Sequence, residues 1–126
     1  MSKFSFNFNA SEVTIILYAL KTYGALHRGS VSKEAKPLRE KIEEMEFTGD
    51  ECNFIYAALE STFCFPPETD DEINGALVSL RFYEQWYNQD GQIEGRRQPK
   101  LMIKDTLETI NRIRRKNGLS LIQYES

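Results

Sequence analysis

Apolar residues recur at helical spacing in five stretches of this chain, and two of those stretches are nearly the same. Residues 8–24 read FNASEVTIILYALKTYG and residues 47–63 read FTGDECNFIYAALESTF. Aligning Phe8 with Phe47 superimposes identical residues at Phe8/Phe47, Glu12/Glu51, Ile16/Ile55, Ala19/Ala58 and Leu20/Leu59. Each copy opens as a helix should. Thr48-Gly49-Asp50-Glu51 is a capping box, in which the hydroxyl accepts from a free amide while the glutamate reaches back, and Asn9 with Glu12 offers the same exchange. Phe8 and Phe47, just before the caps, are placed as hydrophobic staples. Behind the caps, Val13, Ile16, Leu17 and Leu20 in one copy and Cys52, Ile55, Tyr56 and Leu59 in the other form apolar stripes.

After the first copy, HRGSVSK reads as a turn, and Leu38, Ile42 and Met45 mark a second helix with Pro37 near its first turn. After the second copy, CFPPETDDE is a stiff connector; Thr69 and Glu72 then cap a helix whose stripe of Ile73, Ala76, Leu77, Leu80, Tyr83 and Tyr87 runs to about residue 88. NQDGQIEGRRQPK is a polar loop, Pro99 opens a last helix over 99–117, and Asn117-Gly118 stops it. The ends carry a different period. Phe4, Phe6 and Phe8 alternate with polar residues as in a strand, and Leu119, Leu121 and Gln123 supply a second. The expected fold is therefore mainly α: a single domain over residues 1–126, with helix-turn-helix pairs at 8–45 and 47–88, a C-terminal basic helix, and a two-stranded β patch joining the termini.

Composition agrees with one core: 126 residues at 40% hydrophobic content bury roughly two thirds of their unfolded surface. No apolar run approaches the roughly 20 residues of a membrane span, and MSKFSFNFN lacks the apolar centre of a signal peptide. A cytoplasmic setting without membrane contact is expected, with Cys52 and Cys64 as reduced thiols and Cys52 serving as a small buried hydrophobe.

Charge is unevenly distributed. Residues 1–95 hold eight Lys or Arg against sixteen Asp or Glu, whereas residues 96–126 hold eight against three. Arg96, Arg97, Lys100, Arg112, Arg114, Arg115 and Lys116 are thus the candidate surface for phosphate, nucleic acid or an acidic partner, set against the plainer role of a solvated helix end whose cations complement the helix dipole. A sequence pI near 5.3 and the lack of a recognition-helix, zinc or RNA-stacking pattern argue against a dedicated nucleic-acid binder.

Aromatics supply the other candidate. Phe82, Tyr83, Trp86 and Tyr87 form two pairs spaced by four, spreading rings over more than half of a helix circumference. They serve either as a partner interface, the preferred expectation, or as core.

Catalytic motifs are lacking: there is no P-loop, no G-x-S-x-G and no Cys/His metal spacing, and His27 is the only histidine. Glu40, Glu43 and Glu44, followed by Glu68 and Asp71, loosely resemble the magnesium-binding carboxylates of all-α nucleotide pyrophosphohydrolases. They depart from them in the spacing of the first cluster and in a Glu68-x-x-Asp71 pair that straddles a helix start. The expectation is a non-enzymatic interaction module without cofactor or metal, a homodimer or higher oligomer that binds a protein partner. Small, motif-free helical chains of this kind are frequent among phage and mobile-element accessory proteins that inhibit host proteins. The alternatives are a binder of a small phosphorylated ligand or nucleotide, held between the basic residues and the aromatic helix end, and a nucleic-acid-associated protein using the basic helix.

Overall fold

The computed structural model describes residues 3–27, 29–63, 69–90 and 99–123. The chain is mainly helical with one small antiparallel sheet. In order, it forms β1 (Lys3–Ser5), α1 (Ala10–Leu26), α2 (Ser30–Lys41), a 3-10 turn (Ile42–Glu44), β2 (Glu46–Thr48), α3 (Gly49–Thr62), α4 (Asp70–Asp90) and α5 (Pro99–Lys116). Two compact units result, Met1–Phe63 and Cys64–Ser126. Their boundary falls between α3 and α4, so both copies of the repeat, 8–24 and 47–63, lie in the first unit, while the helix-turn-helix pair expected over 47–88 is divided.

Both capping boxes form. Glu12 N–H donates to Asn9 Oδ1 at 2.8 Å while Asn9 N–H donates to Glu12 Oε1 at 3.0 Å. At α3, Glu51 N–H donates to Thr48 Oγ1 at 3.2 Å and Thr48 N–H to Glu51 Oε1 at 2.9 Å. Glu51 is further held by Lys41, whose Nζ lies 2.6 Å from its carboxylate. Burial pushes the Glu51 carboxyl up, but the Lys41 ammonium and the Thr48 bonds outweigh it and hold the group below its ordinary value.

The apolar identities of the repeat are the core of this first unit. Phe8, Phe47, Ile16, Ile55, Ala19, Ala58, Leu20 and Leu59 are all buried, and α1 packs against α3. Three contacts tie the two helices together: Tyr18 meets Phe63, Thr62 Oγ1 donates to the Ala19 carbonyl at 3.3 Å, and Tyr23 lies edge-on to Phe54 at 5.5 Å. Sequence similarity here encodes one apolar face used twice.

The strand pairing differs from the sequence expectation. β1 pairs antiparallel with β2, with Phe4 opposite Phe47, and the ladder is prolonged by Phe6 N–H donating to the Met45 carbonyl at 2.8 Å. Phe6 stacks on Phe8 at 5.4 Å and lies 5.8 Å from Phe47, joining the two residues that precede the caps. Packing of this kind is what an isolated pair of short strands needs to persist. Among the described residues the C-terminal segment Leu119–Gln123 forms no strand.

The second helix also starts earlier than the sequence suggested, at Ser30, and Pro37 lies inside it. Gly29, at φ 86°, supplies the left-handed turn before it. The buried positions Ala35, Leu38 and Ile42 show the reason: an apolar stripe of small and large residues begins before Pro37. Ala35 sits against Gly24 of α1, where an added Cβ would come within 3.3 Å of the alanine methyl.

In the second unit, α4 packs on α5. Glu72 N–H donates to Thr69 Oγ1 at 3.2 Å, as expected of that cap. The last turn of α5 closes through Gly118, at φ 70°, with Gly118 N–H on the Arg115 carbonyl and Leu119 N–H on the Arg114 carbonyl at 2.8 Å.

Candidate functional site

The basic C-terminal region resolves into residues with different duties. Arg114 is structural: its Nε–H donates to the Ser120 carbonyl at 2.6 Å and its guanidinium meets Asp70 at 3.3 Å. Asn111 donates to the Ile122 carbonyl at 3.0 Å and accepts from Ile122 N–H at 2.8 Å, so one side-chain amide satisfies both backbone groups as a neighbouring strand would. Together they fold the segment after the helix stop back along α5.

That fold-back sets what is presented to solvent. Leu119 and Leu121 are about half exposed, at 51% and 49%, and Leu101 at the other end of α5 at 47%. Arg112, Arg115 and Lys116 are exposed beside them and make no ion pair among the described residues. Among the described side chains of α5, Thr106 and Ile110 are buried, while Met102, Ile103, Leu107 and Ile113 are half-buried. Arg96 and Arg97 lie outside the described residues; Lys100 belongs to the first turn of α5.

The aromatic helix end is corrected by burial. Phe82, Tyr83 and Trp86 are 0%, 0% and 4% exposed, and only Tyr87 is partly accessible. The pairs Phe82/Trp86 and Tyr83/Tyr87 stack along the helix at 6.4 and 6.0 Å. Both rows of rings enter the interior because the buried positions of α4 cover a wide arc, including Ile73, Gly75, Val78 and Leu80. Phe82, Tyr83 and Trp86 are core and do not form an open contact surface, while Tyr87 is half-buried.

A feature that the sequence reading did not single out lies in the first unit. A cleft of about 200 Å³ opens between α1 and α2, lined by Leu20, Lys21, Gly24, Ala25, Ser32, Ala35 and Arg39. Its floor is apolar and its walls are cationic. The Arg39 Nε–H is buried and has no hydrogen-bond partner among the described residues, a state that costs about 1–3 kcal/mol for a polar group left unsatisfied. The signal was present in sequence as Lys21 one position after a core leucine and Arg39 one position after another, with Gly24 allowing close helix approach.

Cys52 is buried and unbonded to another cysteine, and burial together with the Glu51 charge pushes its thiol up to about 12, so it is an inert core residue. Cys64 and Glu68 lie outside the described residues. Among the described residues, no three His, Cys, Asp or Glu side chains converge as a metal site would require, Glu40, Glu43, Glu44 and Asp71 included. No described helix is long and apolar enough to cross a membrane. Comparison with family models, with curated proteins and with solved structures finds no match to this chain.

Proposed function

We propose that this chain is a non-enzymatic interaction module that binds an acidic protein surface through α5 and the segment folded back on it. One observation carries the reading: Leu119 and Leu121, held by the Asn111 and Arg114 bonds, stand exposed near Arg112, Arg115 and Lys116, which make no ion pair among the described residues. Exposed apolar residues near positive charge suit a partner with an apolar centre and acidic residues beside it, where desolvated contacts give affinity and the charges speed encounter. Residues 1–95 are themselves strongly acidic, so a second copy of the chain is one partner of this chemistry, and a homodimer or higher oligomer follows the same logic. As an accessory protein of this type it acts by occupying a host protein and blocking it.

Affinity capture with the immobilised chain, followed by purified re-binding of each captured protein, tests this directly. The L119S/L121S variant should lose the partner while keeping the helical circular dichroism of the parent. Equal capture by parent and variant would remove the reading.

A further inference from the structure

We propose that the cleft between α1 and α2 is a binding site for a phosphoryl group, either free phosphate or the head of a small phosphate monoester. This is independent of the α5 surface, because it rests on different residues in the other compact unit.

Lys21 from α1 and Arg39 from α2 line the same cleft, and neither makes a hydrogen bond or ion pair among the described residues. The other cation at the end of α2, Lys41, is engaged by Glu51, whereas among the described residues the cleft pair has no carboxylate partner. Arg39 is the more telling of the two. Its side chain lines the cleft while its Nε–H is buried with no acceptor among the described residues, so a guanidinium that turns toward an anion in the cleft would gain a bond that the chain leaves unmade. Guanidinium donors lie in one plane as a fork, the geometry that grips two oxygens of an oxyanion.

The rest of the lining narrows the ligand. Ser32, in the first turn of α2, adds a hydroxyl to the lining, and that helix end has neither a side-chain cap nor an acidic residue to compete with an anion. Two cations match the charge of about −1.5 to −2 carried by a phosphomonoester at neutral pH, whereas a single carboxylate would leave one cation unbalanced. Size sets the other limit. A volume of about 200 Å³ is below the roughly 300–1,000 Å³ of pockets that enclose drug-sized ligands, so the cleft takes the phosphoryl group and a few attached atoms. The apolar floor of Leu20, Gly24 and Ala35 gives those atoms a dry contact.

Calorimetric titration with inorganic phosphate, glycerol phosphate and acetate at matched ionic strength tests the site. The expected result is saturable binding of phosphate or glycerol phosphate, with acetate at least tenfold weaker; tighter glycerol phosphate identifies a monoester as the occupant, and tighter phosphate identifies the free ion. Lys21→Gln, at an exposed position, and Arg39→Lys, which keeps the charge but loses the fork, should each weaken binding at least tenfold with unchanged circular dichroism. Lys33→Gln, on the same helix but outside the cleft, should bind as the parent does. No saturable binding by the parent at tens of millimolar phosphate, acetate equal to phosphate, or equal weakening by Lys33→Gln would each overturn the site.

Discussion

Asn111 and Ile122 exchange two hydrogen bonds, the amide nitrogen of the side chain donating to the Ile122 carbonyl and its oxygen accepting from the Ile122 N–H. A side chain here takes the place of a strand, and it holds the last described segment against α5. Asn111→Leu should therefore lower stability by about 1–2 kcal/mol, the net worth of two modest hydrogen bonds, and release the segment. Amide hydrogen exchange at Ile122 reads this locally: protection present in the parent should be lost in the variant. Unchanged protection would mean that the Arg114 bond to Ser120 and backbone contacts hold the segment without Asn111.

The paired caps make a second prediction. Thr48→Ala and Asn9→Ala should each cost about 1 kcal/mol, and because the boxes begin different helices the double variant should lose about the sum. Urea unfolding midpoints at constant slope measure both. A silent Thr48→Ala would show that α3 does not depend on its first-turn oxygen.

Trp86 is the clearest test of the interior of α4. At 4% exposure, its truncation to alanine should destabilise the chain by about 3–5 kcal/mol through the cavity left behind. Sedimentation should show no change in mass at concentrations where the variant remains folded. A shift toward smaller species at unchanged stability would instead place Trp86 at an interface.

Acid should weaken the first unit through Glu51. Its folded carboxyl lies below the ordinary 4.5, so the unfolded chain binds the proton more readily. The stabilisation is complete above that ordinary value and is lost as pH falls through the lowered folded value. Replacing Lys41 by Gln removes the ammonium 2.6 Å from Glu51 and should flatten the loss of stability as pH falls below the ordinary carboxyl value of 4.5. Thermal midpoints across that range decide it; parallel curves for parent and variant would contradict the coupling.

Much of the fold was legible because local signals and burial coincide. Each repeated residue is half of a capping box, a buried phenylalanine just before the cap, or a member of the buried α1/α3 face, so the similarity at Phe8/Phe47 and Ile16/Ile55 read directly as structure. The start of α2 was not legible, since Arg28-Gly29-Ser30 has turn composition and Ala35 is a weak apolar marker, although it packs against Gly24. Strand partners were misread for a related reason. Alternation at Phe4, Phe6 and Phe8 specifies a strand but not its neighbour, and Leu119–Gln123 found its hydrogen bonds in Asn111 and Arg114. At the candidate sites, sequence counted cations without telling Arg114, tied to Asp70 and Ser120, from the exposed Arg112, Arg115 and Lys116. Nor could it bring Lys21 and Arg39 to one cleft, because that depends on the approach of two helices.

The α5 surface is tested most directly by reversing the three exposed cations, R112E/R115E/K116E, and leaving Arg114 in place. Affinity for the captured partner, measured by surface plasmon resonance as a function of salt, is the decisive quantity. Binding should fall at least tenfold at low salt, with most of the loss in the association rate, and the parent's own affinity should weaken as salt rises. Circular dichroism and the unfolding midpoint should stay close to the parent's, since exposed charges contribute at most about 1 kcal/mol each. A variant that is folded and binds as tightly as the parent, with no salt dependence in either, would contradict the assignment of this face as the binding surface.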